Sequence, residues 1–565
     1  MGEVETTFWK DLQWPGLTPC AGKIRELAAQ VPVQLEVLSY KRSDHLLWIV
    51  FIGGTGTGKS TLFNALIGKT LSETGVERPK TTGPLVYAHN NAPIEKDFPF
   101  AATGIRRIMV DEVPPSGYSG SPGQILLLEH DREELSHLII VDTPDLDSLE
   151  LKNRQMVEDL QLLADVVVFV ASQEKYADDV PFRFLSRIHR EGKPYYLLLN
   201  KAEDELTADE VLDVLQGQGL QISVDRFWLL PHMPSNPTAS LLRVASFTDF
   251  KETLFHQLSK AQTSEVIRRE RKRAVGKIRS EIGLLADLLK KEARAASEWL
   301  EQLQYFSEVA CRDLLSEQEE RFVKESRAHI QKEIRKHFSK YDLLGTPRRF
   351  LAQLIRMPFR ALGLWPEGST QGSEQDLNKI FRTADLTVIQ AAVEGFNRLV
   401  LEKLSPHDET STLYNRLRAP NLELRREEVQ RQMKEEQDRI MVWLEETFQR
   451  LAQGIPKSKE LGIYSTSILW GGLIIALETA IGGGISLLEA VLDTAVAPFV
   501  TKGAVDLFAY HELQKIVRDL GEQYRKALTA PLRLQSTRYR EVIEALLISP
   551  QTLQELESVM KGLKP

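Results

Sequence analysis

The stretch LLWIVFIGGTGTGKSTLFNALIG, residues 46–68, decides how the first half of the chain folds. An unbroken apolar run rich in aromatic and β-branched side chains turns, through a glycine-rich loop, into a segment of helical character. From Gly53 to Ser60 the loop reads GxxxxGK[ST]. Gly53, Gly54, Gly56 and Gly58 let the main chain, with Thr55 and Thr57 between them, close around phosphate oxygens with its N–H groups pointing inward. The helix reading from Thr61 onward presents its positive end to the same charge. Lys59 is placed to reach β- and γ-phosphates, and the hydroxyl of Ser60 is placed to ligate Mg²⁺. The strand before and the helix after are the context this loop requires.

Outward from that loop, His45 to about Lys260 alternates strand-like runs (LVYAH, HLIIVD, DVVVFVA, PYYLLLN, RFWLL) with segments of helix length. That alternation predicts an α/β domain with a largely parallel sheet. HLIIVD ends in Asp142, followed by Thr143, Pro144 and Asp145, where a carboxylate can hold Mg²⁺ through water. Between the two motifs lies RPKTTGPLVY, whose Thr81 or Thr82 can give a hydroxyl to Mg²⁺ and a carbonyl to an attacking water from a loop ordered by the γ-phosphate. PYYLLLNKAED carries Asn200, Lys201 and Glu203. Guanine-binding proteins use NKxD here, the acid pairing with the base edge and the lysine covering the ring. Glu203 stands where that aspartate is expected, with Asp204 one step later.

Past Lys260 the strand pattern stops. Val275, Ile278, Ile282, Leu285, Leu289, Ala293, Ala296, Leu300 and Leu303 recur at steps of three and four, one stripe on a helix that contains no proline from Ser264 to about Tyr341. More helices are expected at 375–404, 422–453 and 507–547, with Pro531 breaking the last. The reading is therefore an N-terminal helical segment (1–44), an α/β domain (45–262) and an elongated all-α bundle (263–565).

The order P-loop, switch threonine, DTP and NKxE resembles the translation-factor-class GTPases. TTGPLVY, the enlarged nucleotide domain and the long helical stalk resemble the dynamin-like large GTPases, particularly the bacterial ones. The resemblance implies an α/β P-loop GTPase domain on a helical neck and trunk, GTP and Mg²⁺ as ligands, and hydrolysis stimulated by self-association through the GTPase domain. It also implies work on membranes, and it gives Thr81 the catalytic position with Lys59 beside it. The sequence departs from the family at Gly56, where serine is common, at Asp145, where DxPG has glycine, and at Glu203. GTP is therefore expected to be preferred to ATP, less strictly than with aspartate at 203.

The 565 residues carry 71 basic and 79 acidic side chains, a net charge of −8, which argues against a partner recognised through bulk positive charge such as nucleic acid. Cys20 and Cys311 have no metal or disulfide spacing, and the acidic start MGEVETTFWK does not fit a signal peptide, so a cytoplasmic chain with peripheral membrane association is expected. Residues 343–366 combine Arg348, Arg349, Arg356 and Arg360 with aromatic residues and no acid, a composition suited either to an anionic lipid surface or to a connector on the protein's own acidic surface. Within 461–501, 17 uncharged residues follow Glu460, at the lower limit for a membrane span; a hairpin in lipid and a hairpin in the bundle core both fit. The basic run 268–279 reads as a solvated helix face. A soluble P-loop regulator, using GTP or ATP and binding a protein partner through its helical half, is the competing functional reading.

Overall fold

The computed structural model describes residues 8–41, 45–74, 82–100, 103–110, 117–148, 150–173, 179–203, 205–233, 237–325, 387–406, 408–453 and 507–564. Thr81, Asp204, residues 343–366 and residues 461–501 lie outside the described residues. The chain forms two compact units: Met1–Leu12, Lys23–Asp287 and Pro550–Pro565 make the first, Gln13–Gly22 and Leu288–Ser549 the second.

The first unit is built on one eight-stranded sheet: β1 (Leu47–Gly53), β2 (Leu85–His89), β3 (Gly104–Met109), β4 (Gln124–His130), β5 (Leu138–Asp142), β6 (Val166–Ser172), β7 (Tyr195–Ala202) and β8 (Phe227–Pro231). Its order is β3-β4-β2-β5-β1-β6-β7-β8, every pair parallel except β2 with β5. All seven residues of β1 are buried, as expected of a strand covered on both faces. Its side chains alternate between two cores. Trp48, Val50 and Ile52 pack with Val157 and Leu160 of α3 (Leu151–Leu163), Ile188 of α4 (Asp179–Arg190) and Val211 of α5 (Ala208–Gly217). Leu47, Ile49 and Phe51 pack with Leu62 and Phe63 of α2 (Lys59–Ile67) and, past the short α6 (Pro237–Leu241), with Phe247 and Phe250 of α7 (Ala245–Gln257). A strand period of two thus joins helices on opposite faces into three layers. The chain reverses direction across the sheet at β1, which lies between β5 and β6, so the loop leaving β1 opens at the crevice where such sheets bind ligands.

Helix α1 (Ala21–Tyr40) precedes the sheet, and α8 (Lys260–Glu325) follows it. The predicted stripe on α8 is largely in place: Val275, Ile278, Ile282, Leu285, Leu289, Ala296 and Leu303 are buried. The basic run is a solvated face in part: Arg268, Arg269, Lys272 and Arg279 are exposed, whereas three of its cations turn to protein partners. Arg271 donates to the carbonyls of Leu38 and Lys41 at the end of α1, Arg273 donates to the Glu191 carbonyl, and Lys277 pairs with Glu191 at 2.8 Å. A helix C-terminus carries unpaired carbonyls, and the two arginines satisfy some of them.

In the second unit α8 packs with α9 (Thr387–Lys403), α10 (Thr412–Leu417), α11 (Arg426–Gln453) and α12 (Leu507–Glu544) around Trp299, Phe396, Val429, Leu532 and Tyr539. Pro531 does not break α12 but lies inside it. Ala527, Leu528 and Leu532 are buried around it, and that packing outweighs the one backbone hydrogen bond a proline removes. The buried Glu292 carboxylate accepts the N–H groups of Gly16, Leu17 and Thr18 at 2.8, 2.9 and 2.8 Å, fixing the segment before α1 within this unit. The last helix, α13 (Pro550–Gly562), belongs to the first unit.

Candidate nucleotide site

The loop from Gly53 to Lys59 follows β1 and leads straight into α2. Two of its glycines are dictated by space. A Cβ on Gly53 would lie 2.1 Å from the Val170 carbonyl oxygen, and one on Gly58, at φ 95°, would lie 2.3 Å from the Asn200 Nδ2. Asn200 Nδ2 in turn donates to the Thr57 carbonyl at 2.9 Å, tying the end of β7 to the loop. Thr57 and Lys59 are buried; Gly56, at φ 71°, makes a turn that a side chain would strain.

Lys59 donates from Nζ to the Gly54 carbonyl at 3.0 Å and to Asp145 Oδ1 at 2.6 Å. Asp147 Oδ1 accepts the Thr55 N–H at 2.7 Å and the Thr55 hydroxyl at 2.5 Å. Two carboxylates of the DTPDLD segment therefore occupy the hydrogen-bonding groups with which a loop of this kind meets phosphate.

Asp142, at the end of β5, is fully buried. Its Oδ2 accepts the hydroxyls of Ser60 and Ser72, each at 2.7 Å, while its Oδ1 is buried with no partner among the described residues. Burial pushes the carboxyl above the usual range, against the pull of the two hydroxyls and of the Lys59 charge. Ser72 is held for this by Asn64, which accepts its N–H at 2.8 Å and donates to its carbonyl at 2.8 Å. An orphaned anionic oxygen beside the Ser60 hydroxyl fits Mg²⁺, which takes oxygen ligands, usually from one or two carboxylates plus substrate phosphates. Among the described residues no group of three or more His, Cys, Asp or Glu gathers as a metal cage.

Thr81 lies outside the described residues; the neighbouring Thr82 donates its hydroxyl to the Gly120 carbonyl. Thr61 sits in the first turn of α2. At the end of β7, Lys201 takes φ 60°, a left-handed conformation that costs a non-glycine residue about 1 kcal/mol. Glu203 is exposed; its N–H donates to Gln173 Oε1 at 2.7 Å, and Gln173 Nε2 lies 3.5 Å from its Oε2. The site thus brings Lys59, Ser60 and Asp142 together and links Asn200 to the loop. Ser72, Asp147 and Gln173 are additions that no motif spacing announces.

The family described as 50S ribosome-binding GTPase matches residues 48–201. An uncharacterized protein in the xynA 3' region of Caldicellulosiruptor sp. (strain Rt8B.4) is 25% identical over 189 residues, 32% of this chain; the match spans 44% of that relative's length. A structure of an oligomerised bacterial dynamin pair, described as providing a mechanism for long-range sensing and tethering of membranes, is 12% identical with a TM-score of 0.39, over 99% of this chain and 94% of that one. Era in complex with MgGDPNP and a fragment of 16S ribosomal RNA is 17% identical with a TM-score of 0.23, over 38% of this chain and 57% of that one. With the sheet order, the loop geometry and the matched span in agreement, the chain consists of an α/β P-loop GTPase domain followed by a mostly helical region.

Proposed function

We propose that this protein is a dynamin-like GTPase that binds GTP with Mg²⁺, hydrolyses the β–γ phosphoanhydride bond, and couples nucleotide-dependent self-association through the GTPase domain to binding or remodelling of an anionic membrane surface. The observation that carries the nucleotide part is the Oδ1 of Asp142, buried beside Ser60 and without a partner among the described residues, next to a loop whose Lys59 is already aimed at an anion. In this reading the Gly53–Thr61 backbone cradles the phosphates, and Lys59 neutralises β- and γ-oxygens once Asp145 releases it. Ser60, Asp142 and Thr81 would hold Mg²⁺, which when bound would supply positive charge to offset that building on the transferred phosphoryl group. Thr81 positions the attacking water, as the resemblance implies, in a chain with Leu146 where small GTPases carry a water-orienting glutamine. Asn200 braces the base loop, Lys201 covers the ring, and Glu203 accepts the donors of the guanine edge.

The membrane part rests on the motif resemblance, on the continuation of the nucleotide domain into a helical unit, and on the composition of residues 343–366 and 461–501. Among the described residues no helix is long and apolar enough to cross a membrane.

Titration of fluorescent GTP and ATP with and without Mg²⁺, on the parent and on Lys59→Ala, tests the first part. Tight, Mg²⁺-dependent GTP binding that Lys59→Ala abolishes is expected; unchanged affinity in the folded variant refutes the assignment. Co-sedimentation with liposomes of varied charge and curvature, with and without nucleotide, tests the second. A nucleotide-loaded protein that ignores every liposome leaves the soluble regulator as the better reading.

A further inference from the structure

In the second unit α8 and α12 border a groove of about 530 Å³. Three guanidinium groups line it: Arg312 from α8, and Arg533 and Arg540 two turns apart on α12. Against them the lining has one carboxylate, Glu308, which accepts a hydrogen bond from Gln304 Nε2 at 2.7 Å. Arg540 donates to Gln304 Oε1 at 3.1 Å, and among the described residues none of the three arginines pairs with a carboxylate. Elsewhere on the same helix Arg538 is paired with Glu428 at 2.5 Å. Ser536, only 6% exposed, also lines the groove, and its hydroxyl has no hydrogen-bond partner among the described residues.

We propose that this groove binds a phosphoryl group. Three cations against one anion leave a formal excess of two positive charges, which matches a phosphate dianion. Guanidinium forks donate in parallel pairs, and a phosphoryl group offers enough oxygens to engage two or three such forks and a hydroxyl at once, which the two oxygens of a carboxylate do not. The site lies outside the nucleotide loop and outside residues 343–366, and it stands or falls independently of the nucleotide reading.

The test uses the full chain carrying Lys59→Ala, so that the P-loop does not report. Calorimetric titration with inorganic pyrophosphate probes a soluble source of the group. Flotation with phosphatidic acid in phosphatidylcholine vesicles, against phosphatidylcholine alone, probes a lipid headgroup. Arg533→Ala/Arg540→Ala should weaken whichever interaction the parent shows at least tenfold, and Arg533→Lys/Arg540→Lys should retain part of it because charge survives without the fork. Binding of pyrophosphate but not vesicles assigns a soluble phosphate; arginine-dependent binding of phosphatidic acid vesicles without pyrophosphate binding assigns a headgroup. The melting midpoint checks the fold, and Arg312→Ala, exposed on α8, serves as the independent variant if the double substitution unfolds the unit. A parent that binds neither probe, or variants that bind as the parent does, overturn the proposal.

Discussion

Asp145→Asn should tighten nucleotide binding. In the structure the Lys59 ammonium, 4% exposed, is held 2.6 Å from the Asp145 carboxylate, itself 18% exposed, so an incoming phosphate must displace a largely desolvated ion pair. A hydrogen bond between charged groups of this kind contributes about 1.5–3 kcal/mol, and solvent access at Asp145 favours the lower end. Asparagine retains the shape and a neutral acceptor, so the competition falls by roughly 1.4 kcal/mol, about tenfold in dissociation constant. Stopped-flow binding of fluorescent GTP and GDP measures it. Both nucleotides should gain, because the pair breaks whichever of them enters. A gain confined to GTP would trace instead to repulsion between Asp145 and the γ-phosphate. Unchanged or weaker affinity for both, with an unchanged melting midpoint, refutes the competition argument.

Thr81→Ala should leave GTP binding nearly normal and suppress turnover, whereas Thr82→Ala should spare turnover, because the Thr82 hydroxyl is committed to the Gly120 carbonyl; steady-state hydrolysis separates them, and the reverse pattern shifts the switch by one residue. Gln173→Ala should erode the preference for GTP over ATP in competition binding by loosening the Glu203 loop, and Glu203→Asp should sharpen it; no change in either ratio detaches these residues from base recognition. Asp165 is buried, accepts the Trp48 N–H at 2.9 Å and pairs with Lys41, with His45 Nε2 at 3.2 Å. Against the upward push of burial, the Lys41 charge and the bonds from His45 and Lys41 hold its carboxyl well below the usual range. A depressed carboxyl stabilises fully above its unfolded value near about pH 4 and loses that contribution as pH falls through the folded value. Asp165→Asn should therefore cost roughly 3 kcal/mol at neutral pH, and its melting midpoint should converge on the parent's in acid; a constant gap refutes the linkage.

The central strands were legible because each is a buried apolar run flanked by turn chemistry, β1 above all. β3 and β4 were not read: GIRRIM is an exposed edge strand whose Arg106 and Arg107 erase any hydrophobic pattern, and QILLLEH, although largely buried, is not among the strand-like runs of the sequence reading. The antiparallel pairing of β2 with β5 is a choice of partner that no local pattern encodes. Lys59, Ser60 and Asp142 are singled out by motif spacing, and the structure brings the three side chains to one place. No motif spacing marks Ser72 and Asp147, since each meets its partner across 70 and 92 residues respectively. Pro531 shows the opposite limit, where a strong local signal yields to burial of its neighbours.

The first unit is assembled from residues on both sides of the second: α13 returns to it after 288–549, with Leu556 completely buried and Arg279 donating to the Leu563 carbonyl. During synthesis the sheet emerges first, yet its unit waits on the order of tens of seconds for α13 at ordinary elongation rates. A nascent GTPase domain therefore spends that interval with an incomplete apolar surface, exposed to premature association. A chain cut after Asp287 should inherit the same defect permanently, and residues 550–564 supplied as a separate peptide should relieve it.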